Sequence, residues 1–252
     1  MKMREAFYRF CGRAQGIIYP GLRHAQYAYR DVLKAYVTDN SRWLDLGCGH
    51  KLLPPWMPDA EAQEAALLHR SELIVGVDYD HASLQTHKSI PRRAVADVHS
   101  LPFQSDSFDL LTANFVVEHL HNPAQCLTQA HRVLRERGLL IFQTTNLLHP
   151  LVMLARLTPP AIKEKVIWLL GGRPTKDVFP TYYRINTPRA ITSLARLAGF
   201  QVVEINLVNS IPMTTMLGPL VVIELLFLRL LALPLFRAFR SNMIAILRKS
   251  AA

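Results

Sequence analysis

The sequence predicts an α/β fold, a doubly wound parallel sheet with crossover helices on both faces, and three observations carry that expectation. Short apolar runs alternate with helical stretches from residue 42 onward: RWLDLG, LIVGVD, RAVADV, FDLLTAN and GLLIFQTT. Strands separated by helix-length connections pair in parallel rather than as hairpins. The first run ends in a glycine turn, Gly47-Cys48-Gly49, where the backbone of such a sheet comes close to a ligand. Half of the 252 residues are apolar and 19% are charged, enough for a substantial core.

The same composition excludes other classes. With 16 Pro, 11 Gly and 3 Cys, the chain is neither disordered, nor collagen-like, nor a disulfide scaffold. Cys11, Cys48 and Cys126 have neither an even number nor metal-ligand spacing, which fits a reducing, cytoplasmic compartment. No cluster of His, Asp or Glu has ligand spacing, so no metal is expected. The first residues, MKMREAFYRFCGRAQG, carry charges every few positions, where a signal peptide needs an unbroken apolar stretch.

The elements follow in order. Phe7, Phe10, Cys11, Ala14, Ile17 and Ile18 form one helical stripe with Arg9 and Arg13 opposite, ended by Pro20 and Gly21. A second helix is expected over 23–38, stopped by TDNS. Residues 1–40 are thus read as lid helices on a main domain spanning 41–252. The rhythm breaks over 147–186, where Pro150, Pro159, Pro160, Gly171, Gly172, Pro174 and Pro180 indicate an inserted helical cap. TPRAITSLARLAGF is then a helix with Pro188 in its first turn and Gly199 past its end, followed by the strand FQVVEINLV. NMIAILRK reads as a last short strand returning antiparallel to the sheet.

Charge is unevenly placed. The formal net charge is +10, yet residues 41–177 hold 14 basic and 14 acidic groups, against 7 and 3 in 1–40 and 8 and 2 in 178–252. A basic flank suits nucleic acid phosphates and anionic lipid equally. The C-terminal basic groups, however, lie in MLGPLVVIELLFLRLLALPLF, without the polar and aromatic mixture of a nucleic-acid surface. A membrane is therefore expected as partner. Over 217–236 there are 14 Leu, Ile, Val or Phe and two charges, Glu224 and Arg229. Insertion scales give roughly 4–8 kcal/mol for the apolar side against about 5–7 kcal/mol for the charges, so a single spanning helix is not supported. Residues 211–240 are expected instead as short helices lying in the interface, with Arg229, Arg237 and Arg240 in one sector of an ideal helix. A homodimer interface, or a cap buried on the protein's own insertion, would cover the same apolar surface.

The chemistry-bearing motif is Leu44-Asp45-Leu46-Gly47-Cys48-Gly49-His50-Lys51. A nicotinamide site would need a third glycine at position 52, which is Leu, while Asp78 ends the next strand and suits a ribose diol. LDLGCG, GVD, AVADVHSLPF, DSFDLLTANFVVEHL and LRERGLLIFQTTN, in this order over about 42–146, resemble the class I S-adenosylmethionine-dependent methyltransferases, and within them the ubiquinone/menaquinone methyltransferase-like branch. The resemblance implies a seven-stranded mixed sheet of order 3-2-1-4-5-7-6 and S-adenosylmethionine as cofactor. It implies that Asp45, Gly47, Cys48 and Gly49 surround the methionine part, that Asp78 with Tyr79 holds the ribose, and that Asp97 and the backbone at Val98 receive the adenine. Asn114 and Phe115 would lie near the methionine end. Lys51 stands where many members have a third glycine.

An oxygen acceptor also needs its proton taken, and His119, just beyond the strand carrying Asn114, is the expected base; its alternative is a turn histidine. His121 is a weaker candidate. Tyr182 and Tyr183, with Arg184, follow the proline-rich insertion and either line the acceptor pocket or pack the cap. Gln26 and Tyr27 are either lid or core residues. The expected function is methyl transfer to a small or lipid-linked acceptor, most readily at oxygen, by a peripheral protein at the cytoplasmic membrane face. RNA methylation and a non-catalytic, cofactor-binding membrane partner are the alternatives.

Overall fold

The computed structural model describes residues 2–158 and 180–250, so the part of the expected cap over 159–179 lies outside the described residues. The chain divides into a sheet unit, 26–145, 181–206 and 243–252, and a helical unit, 1–25, 146–180 and 207–242. Of the first two helices, α1 (Lys2–Ile18) falls in the helical unit and α2 (Ala25–Tyr36) almost wholly in the sheet unit.

In the sheet unit, β1 (Ser41–Leu46), β2 (Ser71–Asp78), β3 (Arg92–Val95), β4 (Phe108–Asn114), β5 (Leu134–Thr145), β6 (Phe200–Val208) and β7 (Asn242–Lys249) form a mixed sheet. Its order is β3-β2-β1-β4-β5-β7-β6, as the motif order implied. The pairs β3–β2, β2–β1, β1–β4 and β4–β5 are parallel, with α3 (Ala60–His69), α4 (His81–Thr86) and α5 (Pro123–Val133) in the connections. Strand β1 is buried on both faces, which is why it reads as a near-continuous apolar run. Local chemistry fixes the helix starts. Asn122 accepts from the Gln125 amide with Pro123 in the first turn of α5. Thr187 does the same for Ala190 ahead of Pro188 in α7 (Pro188–Leu197).

The register places chemistry at one edge. Asp45 pairs with Thr112 across β1 and β4, and Asn114 with Gln143 across β4 and β5. In a parallel pair these neighbours share a face, so the polar residues of three strands gather at the carboxyl ends, where α/β sheets hold ligands.

The helical unit contains α1, α6 (Pro150–Leu157), α8 (Leu220–Leu231) and two 3₁₀ turns, Thr214–Leu217 and Pro234–Phe239. Cys11 and Leu22 form a core with Val221, Leu225 and Leu228, against which Ala14, Ile18, Tyr19 and Val222 pack. The stripe expected on the first helix is thus half right, since Cys11, Ala14 and Ile18 pack inward but Ile17 is 84% exposed. Glu224, counted from sequence as a cost to burial, is buried with its carboxylate satisfied. It accepts from the Met213 amide at 2.9 Å, the Thr214 amide at 2.8 Å and the Thr214 hydroxyl at 2.6 Å.

The arginine sector is corrected. Helix α8 ends at Leu231, so Arg229, Arg237 and Arg240 do not share one helix. Arg240 donates instead to the carbonyls of Leu231, Ala232 and Leu207, satisfying acceptors that the end of α8 leaves open. Arg229 lies over the Tyr19 ring, 5.6 Å from its centroid. Glu224→Ala leaves a buried site without its carboxylate and strands two partly buried amides, and is expected to cost about 1–3 kcal/mol in urea unfolding, whereas Arg237→Ala, on the exposed turn, is expected within about 0.5 kcal/mol of wild type.

Candidate active site

Strand β1 ends on a turn that requires glycine twice. Gly47 has φ +64°, and a Cβ there would lie 2.4 Å from Val116 Cγ2. Gly49 has φ +55°, but its Cβ position meets no heavy atom within 4 Å. The first glycine is thus demanded by packing, and the second opens onto free space of the kind a ligand backbone contact needs. Between them the Cys48 amide donates to the Val77 carbonyl, and its buried thiol sits where a Cβ on Gly76 would be 2.7 Å away. Burial and the nearby Asp45 and Asp78 carboxylates push that thiol up, so Cys48 is a packing group with its backbone in the turn.

The acids expected at the site hold it together. Asp78 accepts from the Gly49 amide and from the Asp80 amide, both at 2.8 Å, so the end of β2 fixes the turn at the end of β1. Each carboxylate oxygen has a second lone pair, enough for a diol. Asp45 is buried and accepts from the Thr112 hydroxyl at 2.5 Å, while that hydroxyl receives the Trp43 indole N–H at 2.7 Å. Burial pushes the Asp45 carboxyl up to about 7, against the Thr112 hydrogen bond and with help from the Asp78 and Glu64 charges. The same carboxylate and complete burial raise the Tyr29 phenol.

At the third strand end, Asp97 accepts from the His99 amide at 2.9 Å and its ring Nδ1 at 2.6 Å. Desolvation acts to raise this carboxyl, but the two His99 bonds and the His99 and His121 charges outweigh it and hold it below the ordinary range. The rings of His99 and His121 lie 4.1 Å apart. Val98 joins an apolar group with Leu46, Ala113, Val116 and Phe142, and Tyr79 stands 79% exposed beside Asp78.

Asn114, at the tip of β4, exchanges two amide hydrogen bonds of 3.1 Å with Gln26 of α2, which is buried. Tyr27 instead meets Trp56 edge-on at 6.0 Å. Phe115 turns the chain at φ +55°, its amide donating to the Gln143 carbonyl. His119 closes a 3₁₀ turn, Val117–His119, and is half-buried. The tyrosines predicted from the distant FPTYYRINTP stretch arrive at this same turn, because the amides of Tyr182 and Tyr183 both donate to the Glu118 carbonyl, at 2.8 and 3.2 Å. Arg184 donates to the His121 carbonyl at 2.6 Å and lies 5.7 Å from the Tyr182 ring centroid.

Five residues of this region were not singled out from sequence. Thr112 orients Asp45, and its position two residues before Asn114 on the same face was the available signal. Glu118 is buried, with a raised carboxyl from desolvation, and accepts from Thr144, whose hydroxyl in turn receives Asn186 Nδ2. The buried Gln143 carboxamide makes no hydrogen bond through either of its polar atoms among the described residues.

With this geometry in hand, the sequence matches the methyltransferase domain family over residues 22–205, most of the chain. The chain belongs to the methyltransferase domain family. The malonyl-[acyl-carrier protein] O-methyltransferase of Legionella pneumophila is 33% identical over 109 residues, 41% of this chain and 36% of that protein. The ubiquinone biosynthesis O-methyltransferase of Burkholderia thailandensis is 26% identical over 168 residues, 65% of this chain and 66% of that protein. The chain therefore spans only about a third of the length of the first relative and two thirds of the second. An S-adenosylmethionine-dependent methyltransferase from Mesorhizobium loti shares the fold, with a TM-score of 0.58 at 18% identity over 89% of this chain and 97% of that one. S-adenosylmethionine is accordingly the cofactor of this methyltransferase domain, and the cradle fits it, with free space beside Gly49 and a diol acceptor in Asp78.

Gly47→Ala is expected to destabilise by about 2 kcal/mol or more, through both strain and the clash with Val116. Gly49→Ala is expected to cost about 1–2 kcal/mol, from backbone strain alone, while weakening cofactor binding; melting curves with and without S-adenosylmethionine separate the two. Asp45 also yields a pH prediction. An unfolded aspartate loses its proton near pH 4, whereas Asp45 in the fold keeps it to about 7. Between these values the folded state binds more protons, so this residue's contribution to stability falls as pH rises. Asp45→Asn, which cannot ionise, should therefore gain melting temperature relative to wild type from about pH 4 to about pH 7 by calorimetry, and a flat difference would refute the shifted carboxyl.

Proposed function

We propose that this methyltransferase domain transfers a methyl group to an oxygen of a small or lipid-linked acceptor, as a peripheral protein at the cytoplasmic face of a membrane. The observation that carries the transfer reading is the Asp78 carboxylate anchoring the Gly47–Gly49 turn beside open space, with Asn114 and the His119 turn following on the neighbouring strand. Both relatives described above are named O-methyltransferases, which points the acceptor atom to oxygen. The membrane reading draws on the apolar stretch 211–240 and on the absence, among the described residues, of any helix long and apolar enough to cross a bilayer.

S-adenosylmethionine, when bound, supplies a methyl group already activated on a sulfonium, so the chain's task is positioning, water exclusion and proton removal. Asp78 and Asp97 would hold the ribose and adenine, Tyr79 would lie along the adenosine, and the Asp45 carboxylate with the turn amides would complement the methionine end. The pair Gln26–Asn114 rigidifies the rim near that end. His119 would take the acceptor's proton on its imidazole, with Tyr182 and Tyr183 lining the acceptor beside it. Gln143, whose carboxamide has no partner among the described residues, is a further group available to a ligand or an internal water.

Incubating the protein and labelled S-adenosylmethionine with membranes and with soluble extract, side by side, tests this reading. Label is expected in the membrane lipid fraction; tight cofactor binding without labelled product in either fraction would favour the non-catalytic alternative. Label in RNA, with steeply salt-dependent RNA binding, would favour the nucleic-acid alternative. His119→Asn is expected to lower transfer by about 10²–10⁴-fold while leaving cofactor affinity near wild type in calorimetric titration, and unchanged transfer would make His119 a turn residue only.

A further inference from the structure

Positive charge gathers in the helical unit. Its described residues hold 9 Lys or Arg and 2 Asp or Glu, whereas the described residues of the sheet unit hold 16 and 15. One of its two acids, Glu224, is buried and consumed by the Met213 and Thr214 donors. Arg9, Arg13, Arg229 and Arg237 are exposed.

The same unit carries a bare apolar row. Val221, Leu225 and Leu228 of α8 are buried in its core, while Leu220, Ile223, Leu226 and Leu230 are 51%, 65%, 56% and 44% exposed. At 3.6 residues per turn these four fall within about a 120° sector. Beyond the helix, Leu233 and Leu235 are also bare, 51% and 82% exposed, and Arg237 follows them on the 3₁₀ turn. A helix of 12 residues is about 18 Å long, too short for a hydrocarbon core of about 30 Å but long enough to lie along its boundary.

We infer that the helical unit is a docking surface for an anionic phospholipid bilayer, with the Leu220–Ile223–Leu226–Leu230 row entering the acyl boundary and the arginines meeting the headgroups. This deepens, and rests on, the proposal that the enzyme works at a membrane face. Charge selects the occupant. A second copy would bring the same excess of positive charge to the contact, and a nucleic acid would leave the aliphatic row without a partner, whereas an anionic bilayer complements both features.

Vesicle flotation of the full chain tests this, with vesicles of phosphatidylcholine alone and of phosphatidylcholine mixed with phosphatidylglycerol. Binding to the mixed vesicles is expected at least roughly tenfold tighter, weakening with added salt. The double variants Ile223→Asp/Leu226→Asp and Arg13→Glu/Arg237→Glu are each expected to lose roughly tenfold or more of that binding, with cofactor affinity unchanged as the control for folding. Equal binding to both compositions would refute the anionic selectivity while leaving a membrane site standing. Failure to float with either, RNA binding without vesicle binding, or a dimer abolished by the Ile223→Asp/Leu226→Asp pair would overturn the proposal. None of these readouts needs turnover, so methyl transfer stands or falls separately in the labelling assay.

Discussion

The candidate site depends on one interaction between adjacent parallel strands: the Asp78 carboxylate at the end of β2 accepting the Gly49 amide at the end of β1. Its second bond, from the Asp80 amide, ties it to the start of α4, where Asp80 caps the helix. A carboxylate that accepts two backbone amides is fixed in orientation, and it fixes in turn the strand ends that donate to it. Asp45 does a different job. Sunk beneath the turn and tethered through Thr112 to Trp43, it is an acid whose protonation state the surroundings contest.

Much of this was legible in the residues because short-range rules govern it. All seven strands were anticipated as apolar runs, and five ordered motifs implied the strand order that the sheet adopts. Gly47, Gly49 and Asp78 could be singled out because a strand-end turn of that geometry has few chemical solutions. The docking of Tyr182 and Tyr183 on the Glu118 carbonyl was not legible, since a bond across more than 60 residues leaves no periodic trace. Thr112 was hidden for another reason, as a threonine in a buried strand is ordinary until its hydroxyl is seen bridging Trp43 and Asp45. The expected arginine sector failed because it assumed one continuous helix, whereas Pro234 starts a 3₁₀ turn and Arg240 is spent on the carbonyls at the end of α8.

The division of the chain also sorts its physical properties. The sheet unit is nearly neutral and buries its apolar strands. The helical unit concentrates positive charge and leaves aliphatic side chains bare, two properties that are costly together in water unless something covers them. Residues 1–25 and 207–242 share a core of Cys11, Leu22, Val221, Leu225 and Leu228, which brings the basic residues of these two segments into one unit. Family membership speaks to the sheet unit and its cofactor, and the choice of acceptor is left to the surfaces that differ among relatives.

The most direct measurement is a crystal structure of the protein with S-adenosylhomocysteine. The account predicts density along the Gly47–Gly49 turn, with both ribose hydroxyls on Asp78 and the Gly49 amide still held by that carboxylate. An empty crevice at saturating ligand, or a ligand bound elsewhere with Asp78 untouched, would contradict it.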